Sequence, residues 1–269
     1  MSSNDYAARI GHVRTALGGF FPGEGAQVRG LPLHEHCQDR RWFDLYLFAL
    51  TGRQFTANEI ELLETLWTYT SYPDPRIWNN RVAALAGSSR ASSSLAIGAA
   101  IAVSDAHIYG LGPILEAYDF LAAHALDDDV KLAEAIRTAP RLGGYGRPII
   151  AEDERIAPLM ARAASLGLSG GPHIAAAFRI ERLLAAANRP LKMNYGAPVA
   201  AFCLDLGLDR EDCASFVATL FLGGMPPVWK EALSDPAGGL LPIPVDTVEY
   251  EGAAPRNWPS GSRPAPSDR

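Results

Sequence analysis

The sequence predicts an all-α fold with minor β structure at the termini, on three observations. Apolar residues recur at helical spacing in one segment after another between Thr56 and Leu222. Cap-forming residues or proline stand at the start of several of these segments. Strand-like patterns occur only near the two ends, at Phe20 to Arg29 and Pro242 to Glu251. The chain has 269 residues, 48% of them hydrophobic, enough apolar material for a large buried core. No linker or internal repeat divides it. The expected organisation is a single helical domain over 1–252, followed by a flexible tail over 253–269 rich in Pro, Ser and Arg.

Taken in order, Phe20 to Arg29 reads as a small hairpin. His34-Glu35-His36-Cys37 reads as an exposed polar helix start, because residues two apart on a helix point in different directions and cannot converge on one metal ion. Thr56-Ala57-Asn58-Glu59 fits a capping box, with Ile60, Leu63, Trp67 and Thr70 following at helical spacing. Asn80 to Gly87 and Ser92 to Ala106 are Ala-rich helical segments whose small residues let helix axes approach closely. Gly112 to Ala125 is another helix. Asp127-Asp128-Asp129 then caps Val130 to Arg137. Asp153 to Leu166 carries Ile156, Leu159, Met160 and Ala163 on one face. Pro172 to Asn188 opens with proline in its first turn. Ala200 to Leu206 ends at Gly207, and Asp209 to Leu222 begins with acids that suit the helix dipole. Pro242 to Glu251 is expected to be extended.

Several function classes are excluded at this stage. The net charge is −6 and no Lys/Arg-rich run offers a track for phosphates, which argues against nucleic-acid binding. Ser92 to Val103, the longest apolar-leaning run, is too short to span a bilayer, so no membrane association is expected. Met1 to Ile10 lacks the apolar stretch of a secretory signal. Cys37, Cys203 and Cys213 have no CxxC spacing. A cytoplasmic location follows as the expectation.

Two stretches carry candidate chemistry. Gly143-Gly144-Tyr145-Gly146-Arg147 places three glycines around one aromatic, with an arginine beside them. Glycines permit close backbone approach to a ligand, and a guanidinium can meet phosphate or carboxylate. His107 lies between two helical patterns, beside Gly110 and Gly112, where acid–base or hydrogen-bond chemistry is feasible. Ser88-Ser89-Arg90 and Ser92-Ser93-Ser94 read better as small-residue packing than as a phosphate site.

The order of these segments resembles the citrate synthases, and more closely the short citryl-CoA lyase type. Val28 to Leu33 is similar to the family's early R-G segment. Trp42 to Gly52, WFDLYLFALTG, is similar to its LLYLLLTG helix. His107 falls where the histidine of the G-x-L-H-G-G loop is expected. Gly143 to Arg155, GGYGRPIIAEDER, resembles GFGHRVYKxxDPR, and Leu191 to Gly196, LKMNYG, resembles PNVDFYSG. Thr219 to Leu233 resembles the penultimate family helix, and Leu240 to Glu251 the terminal RPxxxYVG strand.

The resemblance implies a citrate synthase-like helical fold and a homodimer. It also implies an enzyme that makes or cleaves a C–C bond adjacent to a CoA thioester. His107, Asn194 and Arg155 fall on its catalytic positions. Gly144, Tyr145, Gly146, Arg147 and Lys192 are the candidates for holding coenzyme A, which is a substrate here. No permanently bound cofactor and no metal are implied. The partners are small molecules: an acyl-CoA and a keto acid, or their adduct. Asn194 stands where the family has its catalytic aspartate, and an amide cannot accept a proton at neutral pH. Tyr195 and Asp105 are the alternative proton acceptors nearest in sequence. Of the carboxylate-binding arginines only Arg155 is kept; the other two positions fall near Gly224 and Met225, and on Ile243. Citrate itself is therefore an improbable substrate. A thioester hydrolase using the same pocket, and a non-catalytic paralogue that binds a ligand or a partner subunit, remain alternatives.

Overall fold

The computed structural model describes residues 11, 13–147, 152–189 and 191–256. Near the N-terminus, β1 (Gly18–Phe21), β2 (Gly25–Val28) and β3 (Leu31–Pro32) form an antiparallel sheet in that order. Gly18 pairs with Val28, and Val28 in turn with Leu31. The expected hairpin is present, extended by a third strand too short to leave a pattern in the sequence. The single turn α1 (Leu33–His36) follows, with His34, Glu35 and His36 exposed. No group of three or more His, Cys, Asp or Glu side chains is placed to hold a metal ion among the described residues.

Two helices then lay down one wall of the core. α2 (Trp42–Thr51) buries Phe43 and Leu47. α3 (Ala57–Thr68) starts on the expected capping box: the Thr56 hydroxyl accepts from the Glu59 N–H, and the Glu59 carboxylate accepts from the Thr56 N–H at 2.7 Å. Its apolar face buries Ile60, Leu62, Leu63 and Leu66.

The centre of the molecule is α10 (Gly196–Asp205), in which every residue from Ala197 to Cys203 is buried. A helix wrapped on all sides needs small residues where neighbours approach, and the sequence GAPVAAFCLD supplies them. It packs against α6 (Leu111–His124) and α9 (Pro172–Ala186), and α9 leans on α7 (Asp129–Thr138). The helix begins four residues before the expected Ala200. Pro198 does not prevent this, because it sits in the first turn, where an N–H has no intrahelical acceptor. α7 is capped as expected, Asp128 accepting from the Val130 and Lys131 N–H groups. α8 (Ile156–Ser165) opens three residues later than expected, because Asp153 is engaged elsewhere.

A second layer joins α4 (Trp78–Ser88), α5 (Ser93–Ser104) and α12 (Met225–Ser234), with Ala83, Ala84, Ala100, Val228 and Ala232 between them. Ser88 and Arg90 tie this layer together, the Ser88 hydroxyl accepting from the Leu240 N–H at 3.1 Å. Arg90 donates to the carbonyls of Ala232, Leu233 and Asp235, a cation at the end of α12 where the dipole favours it. The segment Thr219 to Leu233 is not one helix. α11 (Arg210–Leu222) stops at Gly223-Gly224, and α12 starts anew behind it. The C-terminal segment is also corrected: 242–251 forms no strand, only a 3-10 turn at Val245–Thr247, with Ile243, Val248 and Tyr250 exposed. With no strand beside it, weak alternation alone does not make a strand. No helix among the described residues is long and apolar enough to cross a membrane.

Candidate active site

The glycine loop is built into the core by a short backbone ladder. Gly146 N–H donates to the Lys192 carbonyl at 2.7 Å, and Asn194 N–H to the Gly144 carbonyl at 2.9 Å, with Tyr145 bridged to Met193 between them. Gly144 has φ +80°, and a Cβ there would come within 2.8 Å of the Ala197 nitrogen. Only glycine lets the loop lie against the start of α10. Asn194 ties the junction: its Nδ2 donates to the Gly146 carbonyl at 2.8 Å, and its Oδ1 accepts from the Gly196 N–H at 2.9 Å. The Tyr145 hydroxyl donates to the Ala177 carbonyl at 2.8 Å.

Beside this loop Asp153 is buried, its carboxylate shared between four donors, one of them the Arg155 backbone N–H at 3.3 Å. Arg155 grips it bidentately through Nε and Nη2, both at 2.7 Å, and the Tyr195 N–H donates to it at 2.9 Å. Burial pushes the Asp153 carboxyl up, but the hydrogen bonds and charge of Arg155, with Arg147 behind it, outweigh that and hold it below the ordinary range. The Arg155 guanidinium lies over the Tyr195 ring, 4.4 Å from its centroid, and 5.7 Å from that of Tyr72. Burial pushes the Tyr195 phenol up, against the opposing charge of Arg155, so it is no proton acceptor at neutral pH.

These residues line a cavity of about 550 Å³ between the glycine loop, the start of α6, the start of α10 and the end of α11. Gly144, Tyr145, Gly146, Arg147, Asp153, Arg155 and Asn194 all border it. Arg141 and Arg189 lie on its rim, and Asp153 is the only acid among its described lining residues.

The structure thus brings most of the expected site together, with changed roles. Asn194 falls on an expected catalytic position; both its polar atoms have backbone partners, which tie the glycine loop to the start of α10. Tyr145 offers its ring to the cavity and spends its hydroxyl on α9. Lys192 does not line this cavity. It points away, its Nζ 3.2 Å from Glu152 and 3.4 Å from Glu181. His107 is exposed and is not itself a lining residue, although Ile108, Tyr109 and Gly110 after it are. Asp105 is exposed at the end of α5. Sequence reasoning did not single out Asp153, Trp78 and Tyr109, nor the rim residues Arg141 and Arg189. Asp153 was legible in the Asp-Glu-Arg run that carries Arg155, but a helix-start reading claimed it first.

No protein-family model and no curated protein matches the chain. Solved structures do. Citryl-CoA lyase from Hydrogenobacter thermophilus superposes with a TM-score of 0.80 at 20% identity, over 92% of this chain and 97% of that one. The chain has a citrate synthase-like helical fold. The same fold aligns with ATP citrate lyase from Methanothrix soehngenii in complex with citrate and coenzyme A, TM-score 0.72 and 14% identity, over 94% of this chain and 45% of that one. It also aligns with citrate synthase from Thermoplasma acidophilum in its ternary complex with carboxymethyl coenzyme A and oxaloacetate, TM-score 0.64 and 17% identity, over 81% and 59%. The citrate synthase-like fold therefore spans essentially the whole described chain, including the segments whose order suggested it.

Proposed function

We propose that the chain is a citryl-CoA lyase-like enzyme that makes or cleaves a C–C bond next to a CoA thioester, on a substrate other than citrate. The observation that carries this reading is the cavity under the glycine loop, which joins a half-buried guanidinium at Arg155 to a rim of further arginines. A polyanion such as coenzyme A suits the rim, where Arg147, Arg141 and Arg189 supply cations for phosphates. The neighbours in complex with coenzyme A, citrate or carboxymethyl coenzyme A support the substrate class.

In this reading Arg155 keeps its Nη1 for one carboxylate of the second substrate, since Nε and Nη2 are on Asp153. Asp153 and Asn194 are positioning residues. The first fixes the guanidinium, and the second fixes the loop whose backbone meets the thioester. His107, one residue before the lining, donates to the thioester oxygen and stabilises the enolate as charge develops. In the bond-forming direction the α-carbon of the acyl group gives a proton to solvent water and attacks the carbonyl carbon of the keto acid, and the new alkoxide takes a proton back from solvent. Cleavage is the reverse, and neither direction needs a co-reactant.

The test is incubation of purified protein with acetyl-CoA and a panel of keto acids, read by mass spectrometry. A CoA adduct whose mass is the sum of the two reactants supports the reading. Free CoA released without any keto acid would instead indicate a thioester hydrolase. A non-catalytic paralogue has one observation in its favour, that Asn194 offers no base; CoA binding without adduct formation or thioester loss would establish it. Citrate should bind about a hundredfold or more weakly than to a site with three arginine forks, because each lost charge-assisted pair is worth about 1.5–3 kcal/mol. Calorimetry finding micromolar citrate affinity would refute that.

A further inference from the structure

We infer that the second substrate is a monocarboxylic α-keto acid with an apolar side chain, aromatic or branched. This rests on the proposed acyl-CoA chemistry and specifies its partner. Two observations carry it, one about what the cavity lacks and one about what replaces it.

Away from the arginine rim, carboxylate recognition in the cavity is confined to one fork. Arg155 spends two of its three nitrogens on Asp153, which leaves docking room for a single carboxylate. No clamp can be added from the start of α12. Gly224 stands there, and a Cβ at that position would overlap the Tyr72 carbonyl oxygen and come within 2.7 Å of Asn80 Nδ2. The two elements touch backbone to backbone, so the space that a second arginine would need is filled. Ile243, where the resemblance places the third, is 75% exposed on the C-terminal segment and lines no part of the cavity. The remaining cations belong to the rim assigned to the coenzyme A phosphates, and each is also tied to this chain. Arg147 is held by the Glu152 carbonyl and the Glu154 carboxylate, Arg141 lies 3.2 Å from Glu116, and Arg189 donates to the Ile136 carbonyl.

Part of the cavity lining is apolar: Trp78, Tyr109, Ile114, Val199, Leu220 and Phe221. Trp78 and Tyr109 pack on each other, ring centroids 6.4 Å apart and planes tilted by 38°, and together present aromatic surface to the cavity. A carboxylate pressed against these aliphatic side chains and ring faces would lose its hydration, whereas an apolar side chain would gain contact area. Charge and shape thus separate the two ends of the substrate: one carboxylate toward Arg155, one apolar group toward Trp78.

The experiment compares phenylpyruvate and 4-methyl-2-oxovalerate with oxaloacetate, each with acetyl-CoA, by kcat/KM. Calorimetry of each acid and of CoA runs in parallel on the same protein. A single methylene in an apolar pocket discriminates by roughly 10–200-fold. The apolar acids should therefore exceed oxaloacetate by at least about tenfold. Trp78→Ala should narrow that margin, lowering kcat/KM for the apolar acids by a larger factor than for oxaloacetate. Tyr109→Ala, at a half-exposed position, makes the same comparison if Trp78→Ala does not fold. Oxaloacetate equal to or better than the apolar acids, in turnover or in binding, overturns the inference even when CoA binds. Failure of CoA to bind sinks the proposed function instead. The calorimetric ranking of the three acids then decides the inference by itself.

Discussion

Two side chains at the cavity test the site residue by residue. His107 is assigned to the thioester oxygen on its position beside the lining. Removal of one donor of this kind costs on the order of a hundredfold to a thousandfold in rate. His107→Ala should lose turnover to that extent and keep the wild-type melting profile, because the ring is exposed. His124→Ala is the control. That ring pairs with Asp127 at 2.9 Å on the far end of α6, so its loss should leave turnover unchanged. Equal activity of both variants with wild type would remove His107 from the mechanism. Asp153 makes a different prediction. Its carboxyl is held below the ordinary value of 3.8, so it stabilises the fold above that pH, and the contribution is lost as pH falls through the lowered value. Asp153→Asn should cost about 3–5 kcal/mol at pH 7, the usual penalty for stranding a buried charge, and the gap to wild type should close on acidification below about pH 3.8. A gap that stayed constant with pH in urea melts would contradict the ion pair. The sequence displayed His107 and Arg155 through their neighbours. It concealed the burial of Asp153 and the double engagement of Asn194, because these depend on distant segments meeting, Tyr195 at Asp153 and Gly146 at Asn194.

At the scale of elements, local chemistry was readable and long-range pairing was not. The Thr56 capping box, the Asp128 cap and the proline start of α9 lie within one turn of the residues they serve, so spacing alone revealed them. Thr56→Ala should therefore lower stability by about 1 kcal/mol in denaturant melts with no effect on ligand binding. A loss near zero would mean that Glu59 alone holds that helix end. The break between α11 and α12 escaped the helical pattern. Gly223-Gly224 is tolerated inside many helices, and what ends this one is close packing on Ser71 and Tyr72. Such contacts leave no periodic trace. The same holds for 242–251, whose alternation had no partner strand to pair with.

For the whole molecule, α5 points to self-association. It buries only Ala96, Ala100 and Ser104 and turns Leu95, Gly98, Ala99, Ala102 and Val103 outward. A Cβ at Gly98 would meet nothing within 4 Å among the described residues, and a stripe of small residues suits close helix contact. We therefore expect a dimer in sedimentation at micromolar concentration, and Leu95→Asp should shift it to monomer. A wild-type monomer under those conditions would contradict the expectation. The central claim concerns chemistry beside a thioester, and its most direct measurement needs no knowledge of the product. Acetyl-CoA is incubated with the protein in D₂O, with each keto acid of the panel present in turn, and deuterium in the acetyl group is read by mass spectrometry. The account predicts incorporation above the protein-free blank with at least one keto acid, and its loss in His107→Ala. No incorporation with any of them, on protein shown to bind CoA, would contradict it.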